Sequence, residues 1–227
     1  QVVGRDRYIE YVSWLANVAA SCEKILQEIR NLQRSEIQEA GEGFDIKKQV
    51  GSSTMAHKKN PIKSENASGL ARIVRSMIIP TYENALLWHE RDLANSSSER
   101  FTLSHGSALC EDVINKTRQV LTNMWVDADR CLENIKSQRG LVMAEKVMIE
   151  LVEHGIPRDE AHEILRSASF EAVDKKIELI DVCSRTPEIA AAFSAEELEA
   201  MFDPMNHIGV SGEIVDEAVN LARLAVQ

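Results

Sequence analysis

RDRYIEYVSWLANVAASCEKILQEIRNLQ, residues 5–33, places apolar side chains at Tyr8, Val12, Leu15, Ala19, Cys22, Leu26 and Ile29, in alternating steps of four and three. Those steps keep the side chains on one face of an α-helix. A second row, Tyr11, Val18, Ile25 and Leu32, makes the stripe wider than a two-stranded seam needs. The helix is therefore expected to touch several others, as the core helix of a bundle does.

The composition agrees with that reading. The chain has 227 residues, of which 44% are apolar and 27% charged, with only ten glycines and five prolines. A turn-rich β fold needs more punctuation than that. The formal net charge of −10 argues against non-specific binding of nucleic acid or membrane over the whole surface. No run of apolar residues is long enough to span a membrane and no signal segment opens the chain, so it reads as cytoplasmic. Cys22, Cys110, Cys131 and Cys183 show no ligand spacing with each other or with histidine. Reduced thiols are expected, and no metal or cofactor is called for. The chain opens on Gln1 and enters a helical pattern at once, so an upstream part of the protein is expected.

Beyond the first helix, residues 34–50 lose the periodicity, and Gly41-Glu42-Gly43 reads as a turn with no phosphate role. Pro61 suits a helix start, and apolar positions from Leu70 to Leu86 keep helical spacing, with a kink expected at Pro80. Trp88 to Arg100 reads as a polar loop in which one of Ser96 to Ser98 caps the next helix, or in which Arg91 and Arg100 clamp a phosphate or carboxylate. A third helix is expected over 99–123. Shorter helices are expected at 127–135, 142–154, 158–182, 187–192, 195–201 and 212–225, and no strand alternation is seen. The fold class is therefore all-α, a long-helix bundle over 1–124 followed by a small helical domain over 125–227.

Between the helices lies Gly51-Ser-Ser-Thr-Met-Ala-His-Lys-Lys-Asn-Pro61. Residues 47–63, from Lys47 to Lys63 inclusive, hold five lysines and no acid, a local reversal of sign in an acidic chain. Glycine permits close backbone approach, and successive N–H groups with lysines beside them bind anions. A serine there can act as nucleophile, oxyanion donor or base. The lysines follow the hydroxyls, so the segment is not a P-loop. A merely solvated basic loop is the plain alternative.

Gly51 to Pro61 resembles the signature loop of the fumarase/aspartase superfamily, written G-S-S-x-M-P-x-K-x-N-P, with Ala56 in place of its proline. Gln1 to Asp6, Ile62 to Glu65, Trp88 to Arg100 and Asp203 to Gly209 look most like the adenylosuccinate lyase branch. The resemblance covers essentially the whole chain, as the later part of such a protein. It implies a β-elimination that releases fumarate from adenylosuccinate and from the related succinyl-carboxamide ribotide in purine biosynthesis. By motif position, Ser52 is the base, with Ser53 helping at the carboxylate. Lys58 and Asn60 hold the carboxylates, and Glu65 orients a histidine supplied by another segment. Arg91, Ser96 and Arg100 grip the nucleotide, and Gln1 is a substrate contact. His57, His89, His105, His154, His162 and His207 do not match the proton-donating histidine, so the chain alone is expected to be inactive. The family also implies a homotetramer with active sites shared between subunits. A sister lyase acting on argininosuccinate or a carboxymuconate, or a non-catalytic helical oligomerisation unit, are the competing readings.

Overall fold

The computed structural model describes residues 2–43, 55, 58–89 and 91–226. They form two compact units, Gln1–Cys131 and Leu132–Gln227.

The first unit is built on α1 (Asp6–Leu32), followed by the short strand β1 (Ala40–Gly41), α2 (Ile62–Ser76) and α3 (Ile78–Glu83). Next come α4 (Ala94–Glu99), a π-helical turn (Arg100–His105), α5 (Gly106–Asn123), strand β2 (Trp125–Val126) and the start of α6 (Ala128–Ser137). Helices α1, α2 and α5 pack as a three-helix core, as the periodicity predicts. Leu15 and Ala19 meet Ala71, Val74, Cys110 and Val113, while Leu26 and Ile29 meet Ala67 and Val120. The alanines let the helix axes approach closely, and each buried leucine adds about 1.5–3 kcal/mol by leaving water. The Glu23 carboxylate adds ion pairs to Arg72 (3.5 Å) and Arg75 (2.5 Å). The second apolar row of α1 is divided: Val18 packs against the core, while Tyr11 at 41% and Ile25 at 42% are exposed, beside Trp14 at 57%.

Two local features differ from expectation. The helix break falls at Met77 rather than at Pro80. Proline lacks the N–H that would bond the carbonyl four residues back, and its ring crowds that same carbonyl. The affected residue is Ser76, where α2 ends. The Gly-Glu-Gly segment is less a free turn than a close crossing. Ala40 and Gly41 pair antiparallel with Val126 and Trp125, and a Cβ on Gly43 would stand 2.2 Å from the Asn123 carbonyl oxygen. Asp127 N–H donating to the Glu39 carbonyl (2.8 Å) and Arg130 Nε donating to the Ile37 carbonyl (3.0 Å) add to that crossing. Residues 125–131 therefore stay with the first unit, so the division lies further along than the change of texture after residue 124.

The second unit continues from α6 through a 3-10 turn (Leu141–Met143), α7 (Ala144–Glu153), α8 (Arg158–Lys175), α9 (Leu179–Cys183), α10 (Pro187–Ala192) and α11 (Ala195–Phe202). A second 3-10 turn (Pro204–His207) leads to α12 (Ser211–Ala225), which buries none of its residues. The helix expected over 158–182 is broken at Lys176, which adopts a left-handed φ of 56° and lets Ile177 N–H reach the Ala172 carbonyl at 3.1 Å. That is a Schellman-type end made without glycine, so no punctuation residue marks it. Ser194 and Glu197 form the capping box that starts α11. The core gathers Leu151, Leu165, Leu179, Val182, Cys183, Ile189 and Phe193 among others.

All four cysteines are free thiols. Burial pushes the Cys183 thiol from its ordinary 9.0 up to about 12. The folded value is the higher one, so its contribution to stability is whole below the unfolded value and is lost as pH rises through that window. In the folded protein at about pH 8, iodoacetamide is expected to modify the half-buried Cys22 and Cys131 well before Cys110 and Cys183. Peptide mass spectrometry checks this, and equal labelling rates for Cys131 and Cys183 would contradict it.

Candidate active site

Lys58, Asn60 and Glu65 lie where the chain enters α2. Lys58 N–H donates to the Met55 carbonyl at 3.1 Å, the Asn60 carbonyl accepts from Ile62 N–H at 2.9 Å, and the Pro61 carbonyl accepts from Glu65 N–H at 2.9 Å. Lys58 and Asn60 line one cavity of about 640 Å³, together with Lys59, Met55, Gln33 and Trp125. Glu65 lines a neighbouring groove of about 720 Å³ with Lys59, Arg30, Arg34 and Arg72. Both are open, and Lys59 and Gln33 belong to each. Cations collected around an open cavity suit a carboxylate-bearing ligand. The proposed base Ser52, its neighbour Ser53 and the substrate contact Gln1 lie outside the described residues.

Two residues not anticipated from sequence hold this corner. Glu42, only 3% exposed, accepts Lys63 N–H (3.1 Å), Ser64 N–H (3.0 Å) and Ser64 Oγ–H (2.9 Å), so its side chain caps α2. Gln33, just past α1, accepts Glu42 N–H at 2.8 Å and donates from Nε2 to the Lys59 carbonyl at 3.0 Å. No local pattern announces a cap supplied from so far upstream.

The Trp88 to Arg100 segment is organised by Asp92. Its carboxylate accepts Ala94 N–H (2.8 Å) and Trp88 N–H (3.0 Å), and these two bonds, Ala94 first, hold its pKa below the usual 3.8. Asp92 rather than a serine therefore supports the start of α4, and Ser96 to Ser98 lie inside that helix. The aspartate stands two residues before the helix, a spacing that sequence inspection can find. Ser98 Oγ–H donates to Asn84 Oδ1. Ser96 and Arg100 are four residues apart and share a helix face, while Arg91 precedes the helix, half-buried, with a buried Nε that has no partner among the described residues. Arg5 Nε donates to Glu99 at 2.7 Å, an ion pair whose members are 8% and 17% exposed. That pair ties the first turn of α1 to α4.

These contacts place the predicted residues in two groups. Lys58, Asn60 and Glu65 sit by Gln33, at the C-terminal end of α1. Ser96 and Arg100 flank Glu99, which is held by Arg5 at the N-terminal end. Helix α1 has 27 residues, so at 1.5 Å per residue the ends are about 40 Å apart. One chain does not bring the two groups together. Of the histidines, His105 stacks on Phe101, His154 packs edge-on against Phe193 and His207 meets the Met201 carbonyl, all structural contacts. Among the described residues, none of the groups of histidine, cysteine and acid is placed to hold a metal ion, and no helix is long and apolar enough to cross a membrane.

Comparison with known proteins bears on this arrangement. Residues 1–76 match a family model described as lyase, and residues 140–218 match one described as adenylosuccinate lyase C-terminus. Adenylosuccinate lyase of Archaeoglobus fulgidus is 42% identical over 96% of this chain and 49% of its own length, and that of Methanothermobacter thermautotrophicus gives the same figures. Over nearly all of its length the chain is similar to adenylosuccinate lyases. It spans about half the length of the curated relatives it matches. The fold extends to the wider superfamily: the crystal structure of 3-carboxy-cis,cis-muconate lactonizing enzyme from Pseudomonas putida superposes with a TM-score of 0.85 at 29% identity, covering 96% of this chain and 47% of that one. The described part of the signature segment, Lys58 to Pro61, is seated against the end of a long bundle helix.

Proposed function

We propose that the full-length protein is a C–N lyase that eliminates fumarate from adenylosuccinate, giving AMP, and acts likewise on the succinyl-carboxamide ribotide of purine biosynthesis. The observation that carries the reading is the convergence of Lys58 and Asn60 on one open cavity bordered by Lys59. This is the environment that a dicarboxylate and its developing negative charge require. In the proposed reaction Ser52 takes the proton from the carbon beside a succinyl carboxylate, and the electron pair first spreads into that carboxylate. Lys58, Asn60 and Ser53 hold the carboxylates. The pair then forms the double bond of fumarate as the C–N bond breaks, and a histidine that Glu65 orients protonates the leaving nitrogen. Arg91, Ser96 and Arg100 take the nucleotide phosphate, and Gln1 contacts substrate. None of the six histidines here matches the proton donor, so the chain alone is proposed to be inactive.

The roughly 40 Å along α1 between the two groups of residues supports an active site assembled from more than one copy. The outward apolar row at Tyr11, Trp14 and Ile25 is a surface that such assembly would cover. We propose a homotetramer, acting in the cytoplasm, where free thiols persist.

The superfamily likeness also admits argininosuccinate or a carboxymuconate as substrate, but the 42% identity to adenylosuccinate lyases and the arginines around Ser96 favour the nucleotide. Incubating the full-length protein with each of the three compounds tests the choice. Turnover of adenylosuccinate is expected, and turnover of one of the others alone would replace this reading with the sister activity.

A further inference from the structure

Glu42 is the feature of this corner that the proposed chemistry does not use. It is a nearly fully buried acid, and no ion pair involving it is seen among the described residues. Its two carboxyl oxygens are instead spent on α2: Oε1 accepts Lys63 N–H, and Oε2 accepts both Ser64 N–H and the Ser64 hydroxyl. Helices are ordinarily capped by the residue at the N-cap itself. Here that residue is Pro61, whose side chain offers no acceptor. The start of α2 is therefore defined by a group that belongs to the segment after α1.

The same residue is fastened at its backbone. Gln33 accepts Glu42 N–H and, through its amide nitrogen, donates to the Lys59 carbonyl. One side chain thus spans from residue 42 to residue 59, and a second spans from residue 42 to residues 63 and 64. Behind them, Gly41 packs against the Trp125 ring with no room for a Cβ, and Gly43 crosses the Asn123 carbonyl. The base is rigid, and what it holds is the four-residue run Lys58 to Pro61 with the first turn of α2.

We infer that Glu42 and Gln33 are positioning residues for the anion-binding corner. They set the place of Lys58, Asn60 and Glu65 against the end of α1. Nothing in their contacts puts either side chain on a reacting atom. Their role is to fix where the lysine and asparagine donors stand, and a displacement of about 1 Å at such donors costs up to about 10²-fold in rate. The inference rests on the elimination reading for its effect on rate, and on the hydrogen bonds alone for its structural part.

Glu42→Gln in the full-length protein is the informative variant. Whichever way the new amide turns, its NH2 faces a backbone N–H, donor against donor, because each carboxyl oxygen now accepts one. Amide exchange at Lys63 and Ser64 is expected to quicken by about 10-fold or more. The kcat for fumarate formation is expected to fall about 10- to 100-fold, with KM changed less than about threefold. Gln33→Ala, which leaves the carboxyl cap in place, is expected to act in the same direction with a smaller loss. Ser194→Ala, which removes the capping box in the second unit, serves as the stability control and is expected to lower Tm without lowering kcat. Unchanged exchange at Lys63 and Ser64 would overturn the clamp whatever the activity. Quickened exchange with wild-type kcat, or a kcat loss no larger than the loss of folded protein, would overturn the positioning role. A wild-type protein with no turnover would sink the elimination reading, while the exchange data would still decide the clamp.

Discussion

Ser52→Ala in the full-length protein is expected to lower kcat for fumarate formation by about 10³-fold or more, while the Kd for substrate stays within about threefold. A serine hydroxyl holds its proton far more tightly than a carboxylic acid does, so it becomes a base only beside positive charge and away from bulk water. The five lysines at and around the signature segment supply that charge in a chain whose net charge is −10. Removing the hydroxyl deletes the proton acceptor but leaves the carboxylate contacts assigned to Lys58 and Asn60, which is why binding and turnover should separate. Stopped-flow turnover with calorimetric binding measures both. A serine variant that retains a tenth of wild-type kcat would move the base to another residue.

Mixing two inactive full-length variants, Lys58→Met and Arg100→Met, under conditions that exchange subunits is expected to restore about a quarter of wild-type activity. The reason lies in α1. Lys58 stands near one end and Arg100 near the other, about 40 Å apart, so a substrate that touches both must do so across copies. A mixed oligomer then contains some sites with an intact lysine from one subunit and an intact arginine from another, and random assembly makes these one in about four. Each variant alone should lose about 10²-fold or more in kcat/KM. Recovery of activity after mixing, measured against each variant carried through the same exchange, decides it. No recovery despite proven subunit exchange would mean that one chain contributes both groups to a site, against the geometry.

The fold was legible where periodic burial alone determines it. Val12, Leu15, Ala19, Leu26 and Ile29 read as a core face and are buried as one. The resemblance of the signature segment to its superfamily rests on residues whose chemistry is local, and it needed no structure. What escaped inspection depends on partners distant in sequence. Glu42 caps a helix that begins at Ile62, and a turn reading of Gly-Glu-Gly had no means of finding it. Pro80 was seen, but its effect falls on the Ser76 carbonyl and not on its own position. Lys176 ends α8 in a left-handed conformation that lysine seldom adopts, so the longer helix was the natural reading. The separation of the two site groups along α1 was likewise invisible, because sequence order says nothing about which end of a helix a later segment returns to.

The proposed β-elimination is most directly tested by incubating the full-length protein with adenylosuccinate and quantifying all products. Equal amounts of fumarate and AMP are predicted, since the C–N bond breaks on the succinyl side and the nitrogen stays with the purine. No products from a folded, oligomeric protein, or aspartate with IMP in place of fumarate with AMP, would contradict it.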